Sequence, residues 1–267
     1  LGYKVNFIPC DNNSLIKTDD VLEQVNPNTK IVSIMLANNE TGVVQPIKEI
    51  SNGLKSLEPG LIFHSDVVQA VATTKIDFHN LGVQSAALSG HKIGGPKGIG
   101  FMFLSSEVKV PSFFHGGKQE LERRAGTVNV SGVASLSAAL DEQQKNITKQ
   151  NQNILKERTD FEEMIKHSLD VMVVGDSVKR LEHISNIQFK NIHSETLMVA
   201  LDLQGLGVSR GSACASGAQR PSHVLQAMKV SNDKINSHLR FSFGWNTQVG
   251  DGIKAAKIVL SSIEGMK

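Results

Sequence analysis

Cysteine is scarce in this chain: only Cys10 and Cys214 occur among 267 residues, far apart in sequence. They make no disulfide framework, so a reducing compartment is the expected setting, cytoplasmic or, in a eukaryote, an organellar matrix. Excess charge is scarce as well. A net +2 is too small to imply nucleic acid as a partner. No cluster of Lys and Arg interleaves with aromatics as a groove-reading surface requires; Lys118 to Arg124 comes nearest, and Glu120 and Glu122 neutralise it. No apolar run approaches bilayer length, so no membrane span is expected. Internal repeats and low-complexity stretches are lacking, and no metal-ligating cluster stands out. The opening Leu1-Gly2-Tyr3-Lys4 is read as carrying no secretory leader. A start at Leu rather than Met points to a segment missing upstream.

What is there is an ordinary globular balance, 40% hydrophobic and 20% charged, with chain enough for one large or two modest domains. Ile31 to Ala37 reads as a buried strand of parallel-sheet type, continuous and apolar. A helix should follow Pro46, with Ile47, Ile50 and Leu54 at helical spacing and Pro59-Gly60 as its stop. Further strands are expected from Leu61, ending at His64-Ser65-Asp66, over Ser85 to Leu88 and over Gly100 to Leu104. Strands alternating with helices argue for an α/β sheet with parallel pairing.

From Ser131 to about Leu169 the texture changes. Val133, Leu136, Leu140, Ile147, Ile154, Phe161 and Ile165 keep a loose helical period through polar sequence, as one or two long helices bridging two domains would. Strands at Val171 to Gly175, Ile184 to Phe189 and Leu239 to Phe243 follow, with helices near Ser194, after Pro221 and at the C-terminus. The expected domains are therefore 1–144, an α/β unit with a mostly parallel sheet, and 145–267, a smaller α+β unit.

Several segments carry candidate chemistry. Ser89, His91 and Lys92 fall within four residues and lead into Gly94, Gly95, Gly98 and Gly100. Glycines allow close backbone approach to a ligand, and Ser and His can both donate to a phosphate. Lys92 is then either an amine for a carbonyl cofactor or a solvated lysine in a glycine-rich turn. Asp66 and Gln69 follow a strand end, where open α/β sheets place ligands. Asp66 either pairs with a protonated ring nitrogen or caps the next turn. Asn38-Asn39-Glu40-Thr41-Gly42 is either a hydrogen-bonding loop or a plain turn. Arg240, between apolar neighbours on a strand, is either a buried fork for a carboxylate or the outward face. Cys214 has small neighbours on both sides, Gly211-Ser212-Ala213 and Ala215-Ser216-Gly217, as suits a thiol that visits a site and leaves. Cys10, after Phe7-Ile8-Pro9, reads as space-filling.

Taken together the segments ANNETGVVQPI (Ala37 to Ile47), HSDVVQAVA (His64 to Ala72), SGHKIGGPKGIG (Ser89 to Gly100) and GGKQELERRAGTVNV (Gly116 to Val130) resemble the cysteine desulfurases. So do VSRGSACASG (Val208 to Gly217), PSHVL (Pro221 to Leu225) and LRFSFG (Leu239 to Gly244). This is the NifS/IscS-like branch of the class V aminotransferases, fold-type I enzymes that use pyridoxal 5'-phosphate (PLP). Each motif alone is weak; their shared order over nearly the whole chain is not.

The resemblance implies that Lys92 is the Schiff-base lysine, that Asp66 pairs with the pyridine nitrogen and that Gln69 bonds the ring hydroxyl. Ser89 and His91 would hold the phosphate, and Thr127 would reach a phosphate across a dimer interface. Asn39 and Arg240 would grip the substrate carboxylate, with Asn39 also on the cofactor side. Cys214 would take sulfur from L-cysteine as a persulfide, leaving alanine, for an iron–sulfur scaffold or another sulfur carrier. A homodimer is implied too. The family's N-terminal third has no counterpart here, including its glycine/threonine phosphate turn and the His that stacks on the ring, so a truncated or divided protein is expected. Leu121 stands where an Arg is usual, Gly94 where an aromatic is common and Ala215 where a Thr is usual, and the chain ends at Lys267 without the scaffold-docking extension of some relatives. Selenocysteine lyase, transamination independent of Cys214, and a non-catalytic partner-binding subunit are the alternative readings.

Overall fold

The computed structural model describes residues 2–57, 60–211 and 221–266. In chain order the elements are α1 (Thr18–Leu22), β1 (Ile31–Ser33), α2 (Ile47–Leu57), β2 (Ile62–Asp66), α3 (Phe78–Leu81), β3 (Ser85–Ser89) and β4 (Gly100–Leu104). There follow α4 (Val130–Ser168), β5 (Val171–Val173), β6 (Ile184–Phe189), α5 (Ser194–Leu203), α6 (His223–Ala227), α7 (Asn232–Ile235), β7 (His238–Ser242) and α8 (Asp251–Glu264). They cluster into two units. A parallel-sheet unit comprises Val25–Leu36 and Ile47–Asn146, and an antiparallel-sheet unit comprises Leu1–Gln24, Ala37–Pro46 and Ile147–Lys267.

In the parallel-sheet unit the strand order is β1-β2-β3-β4. The pairs β1–β2 and β2–β3 are parallel, and β3–β4 is antiparallel. The sheet is thus mostly parallel, as expected, with one reversed strand. That reversal follows from length: a parallel return needs a crossover of about a dozen residues or more, and only residues 90–99 separate β3 from β4. The apolar run at 31–37 departs from the fully buried strand expected of it. Only Ile31–Ser33 is regular, and Ile31 is 61% exposed. Ile34 N and Leu36 N still bond to His64 O and Asp66 O, at 3.1 and 2.8 Å, and both side chains are buried. Helix α2 forms where its apolar spacing places it, with Ile47, Ile50 and Leu54 buried along one face. Ser51 Oγ donates to Gly82 O at 2.7 Å, tying α2 to the glycine that ends α3 in the left-handed region.

Helix α4 is one continuous element of 39 residues, about 58 Å long at 1.5 Å per residue. Its first part belongs to the parallel-sheet unit. There Gln143 Nε2 donates to Val71 O at 2.7 Å, and Leu136 lies beneath Gly90, whose Cβ, if it had one, would sit 3.2 Å from Leu136 Cδ1. The later part belongs to the antiparallel-sheet unit and puts Phe161 and Ile165 into its core.

That core packs α4, α5 and α8 around the sheet β5-β6-β7, antiparallel throughout. Every residue of β6, the central strand, is buried. The Phe161 and Phe241 rings lie 4.7 Å apart. The segment 37–46 joins this unit first through backbone: Val43 bridges Arg180, Val44 N donates to Lys179 O at 2.9 Å and Leu181 N to Gly42 O at 2.8 Å. Arg180 in turn forks onto Glu162 of α4 at 2.8 and 2.9 Å. The Arg158 guanidinium, one helical turn from Glu162, is pushed below its ordinary pKa by burial and by the neighbouring Arg180. Its Nη1 donates to Leu181 O at 2.6 Å. Among the described residues no helix is long and apolar enough to cross a membrane, and no group of three His, Cys, Asp or Glu is placed to hold a metal ion.

The start of α8 is held by Glu157, whose Oε2 accepts from Gly250 N at 3.0 Å and Gly252 N at 2.9 Å. A Cβ on Gly252 would fall 2.0 Å from Glu157 O, a backbone atom that cannot swing aside. Gly252→Ala should therefore lower stability by about 3 kcal/mol. Gly207→Ala, with open space around its Cβ position, should change it by less than about 1 kcal/mol. Urea midpoints of the two variants check both.

Candidate functional site

In the parallel-sheet unit the expected cofactor residues meet at one edge. Strands β2 and β3 are adjacent and parallel, with Asp66 opposite Ala87, so both end on the same side. Asp66 closes β2 and is exposed, and its Oδ1 accepts from Val68 N at 2.9 Å. The capping bond is therefore present, alongside a carboxylate open to solvent. Gln69, half-buried, opens the 3-10 turn Ala70–Ala72. Ser89 closes β3, and its Oγ lies 2.7 Å from His91 Nδ1. His91 and Lys92, both exposed, lie in the 3-10 turn Gly90–Ile93, which packs on the turn Ala70–Ala72. Five of the expected residues are thus brought to one strand edge, floored by the first part of α4. Thr127 is exposed, between the loop bridged by Phe114 and Arg124 and the start of α4.

Two of the glycines after Lys92, Gly95 and Gly100, stand against the chain's own backbone. A Cβ at Gly100 would stand 2.3 Å from Leu88 O, and one at Gly95 would stand 2.9 Å from Gly90 O. They close the tight reversal from β3 to β4, so at these two positions the close approach is to neighbouring backbone. That reversal holds Lys92 at the strand edge.

In the antiparallel-sheet unit Asn39 and Arg240 come together. Arg240 Nη1 donates to Asn39 O at 2.8 Å across 201 residues of sequence. Arg240 is half-buried on β7, so its guanidinium is held inward against Asn39 rather than on an outward face. The turn around Asn39 is built by its neighbour: Asn38 Oδ1 accepts from Glu40 N at 2.8 Å and Thr41 N at 3.0 Å. The turn reading of this segment therefore holds at Asn38, while Asn39 meets Arg240 through its backbone carbonyl. Cys214 lies outside the described residues. The segment before it is anchored at β7, where Ser209 and Arg240 exchange backbone bonds of 3.1 and 2.7 Å. Cys10 is a free, partly buried thiol whose pKa is pushed up by burial.

Residues that the motifs did not single out complete this unit's polar interior. Glu40 is 1% exposed, and its Oε2 accepts from Ser222 Oγ at 2.5 Å. Asn186 Nδ2 donates to Glu40 O at 3.1 Å, and Asn186 Oδ1 lies 2.9 Å from His238 Nδ1. Glu40 sits inside the quoted ANNETG motif, but nothing local marks an acid as buried; Asn186 and His238 lie on strands whose pairing brings them there.

The donor set of the parallel-sheet unit fits PLP on chemistry. It offers a primary amine at Lys92 for the aldehyde, a carboxylate at Asp66 for the ring nitrogen, an amide at Gln69 for the hydroxyl, and the Ser89–His91 pair for the phosphate.

Comparison with known proteins agrees. The family described as Aminotransferase class-V matches residues 1–252. Cysteine desulfurase IscS of Methanosarcina thermophila is 35% identical over 266 residues, 100% of this chain and 65% of that protein. A solved NifS-like protein superposes with a TM-score of 0.90 at 26% identity, covering 99% of this chain and 69% of that one. The NifS-like protein from Rickettsia africae ESF-5 gives 0.85 at 31% identity, covering 97% and 68%. The chain thus has their fold-type I architecture and spans about two thirds of the length of these relatives.

Burial holds the His238 pKa down at about 4. In the unfolded chain it would be about 6.5. The unfolded form therefore binds the extra proton first as pH falls, so stability from this group is complete above about pH 6.5 and is lost towards pH 4. Between pH 7 and 4.5 the loss should be about 2 kcal/mol. Urea unfolding at the two pH values should show a correspondingly shallower pH dependence in His238→Gln than in the parent.

Proposed function

We propose, for a chain that belongs to the aminotransferase class-V family, the chemistry of a PLP-dependent cysteine desulfurase. L-cysteine and the Cys214 thiol give L-alanine and a Cys214 persulfide. The observation that carries this reading is the gathering of Asp66, Gln69, Ser89, His91 and Lys92 at one edge of β2 and β3.

When bound, the cofactor supplies an electron sink that eases loss of the α-proton and weakens the bond from Cβ to sulfur. Lys92 would provide the amine that holds its aldehyde and a base near the α-carbon. Asp66 would pair with the ring nitrogen and keep its proton in place, Gln69 would take the ring hydroxyl, and Ser89 and His91 would take the phosphate. Thr127 serves the phosphate of a second copy in a homodimer. Arg240, oriented by Asn39 O, holds the substrate carboxylate together with Asn39. The Cys214 thiolate attacks the substrate sulfur. An S–S bond forms, the Cβ–S bond breaks, and a proton equivalent to that released by the thiol ends on the carbon, so no outside oxidant or reductant is consumed. The persulfide then passes to an acceptor protein, an iron–sulfur scaffold or another sulfur carrier. A reducing compartment, the cytoplasm, keeps the thiol available.

An absorption spectrum of the protein with PLP, before and after L-cysteine, tests the assignment. A visible band absent in Lys92→Ala is expected, with alanine and persulfide formed by the parent and not by Cys214→Ser. Arg240→Ala should raise the KM for L-cysteine by about a hundredfold, the cost of a lost charge-assisted pair. Full turnover by Cys214→Ser would point to transamination instead. A parent that takes up no PLP and turns over no substrate would leave a partner-binding subunit.

A further inference from the structure

The mechanism above makes no use of Glu40, yet this buried acid lies where both ends of the Cys214-bearing stretch meet. Residues 212–220 are entered through Gly211 and left through Pro221 and Ser222. On the far side, Ser222 Oγ donates to Glu40 Oε2 at 2.5 Å. On the near side, Gly211 has φ +110°, and a Cβ there would stand 3.3 Å from the same Oε2. One carboxyl oxygen is therefore bonded to the far end and lies beside the near one.

The acid itself is held from behind. Asn38 Oδ1 takes Glu40 N, and Asn186 Nδ2 reaches Glu40 O at 3.1 Å. Its neighbour Asn39 carries Arg240, and Arg240 pairs through its backbone with Ser209, whose Oγ donates to Gly211 O at 3.1 Å. The substrate-carboxylate pair and the stem of the thiol segment thus share one turn. Helix α6 does not require the acid, because Ser222 Oγ already caps it by accepting from Leu225 N at 3.1 Å. Burying a carboxyl costs free energy that an apolar side chain would not; what Glu40 adds over such a residue is the bond to Ser222, made beside Gly211.

We propose that Glu40 is a positioning residue that holds Ser222 beside Gly211 and thereby sets where the segment carrying Cys214 starts and ends. For catalysis this rests on the desulfurase reading; the clasp itself does not.

The test uses PLP-loaded protein in a Cys10→Ser background, so that iodoacetamide reports Cys214 alone. Releasing the clasp in Glu40→Ala should speed alkylation about threefold or more, as local opening does. Glu40→Gln, still able to accept from Ser222, should stay within about twofold of the parent. Ser222→Ala removes the same bond from the other side and should match Glu40→Ala, with the double variant no faster than either single. In turnover, Glu40→Ala should lower kcat for persulfide formation about tenfold, the worth of one lost hydrogen bond, with KM for L-cysteine and the cofactor band unchanged. An unchanged alkylation rate in both Glu40→Ala and Ser222→Ala overturns the proposal. So do additive effects in the double variant, or a cofactor band lost together with kcat. If the parent makes no persulfide, the desulfurase reading falls while the alkylation rates still decide the clasp.

Discussion

Parallel pairing of β2 with β3 is the constraint on which the cofactor side depends. Two strands running the same way must end on the same side, so the loops that leave them are forced into company. Asp66 ends one strand and Ser89 the other, and the 3-10 turns that follow pack together. An amine, a carboxylate, an amide and a hydroxyl–imidazole pair are thereby presented from backbone whose own bonds are made elsewhere. The antiparallel return of β4 serves the same end. It is a tight reversal between Leu88 and Gly100 that leaves no room for a side chain, and it holds the turn bearing Lys92 against the first part of α4.

The antiparallel-sheet unit is organised differently, around a buried polar thread. His238, Asn186 and Glu40 come from β7, β6 and the turn at 38–42, and each uses a side-chain or backbone group to hold the next. Buried polar groups are stable only when bonded, so this thread specifies one arrangement of the turn. The turn then presents Asn39 O to Arg240 and the Glu40 carboxyl to Ser222. Backbone bonds from residues 42–44 to 179–181 fasten the same turn to the segment beside α4.

Much of this was legible along the chain. The helical spacing of Ile47, Ile50 and Leu54, the strand from Gly100 to Leu104 and the long helix from about residue 131 all emerge near their expected places, because each is governed by local periodicity. The short elements α1, α3 and α7 were not anticipated; four or five residues carry too little period to register. The run at 31–37 was misjudged as wholly buried because apolar content alone does not tell a central strand from one at the side of its sheet.

Motif order and family resemblance group Lys92, Asp66, Ser89 and His91, where the chemistry of each residue alone leaves its role open; the pairing of β2 with β3 then brings them to one side of the sheet. Pairing across long separations was another matter. That Arg240 is held by Asn39, that Glu40 is buried against Ser222, and that His238 stays neutral well below its ordinary range are consequences of strand register and burial. Those bonds join residues far apart along the chain, and no periodicity within a single segment encodes which distant partner will satisfy a buried polar group.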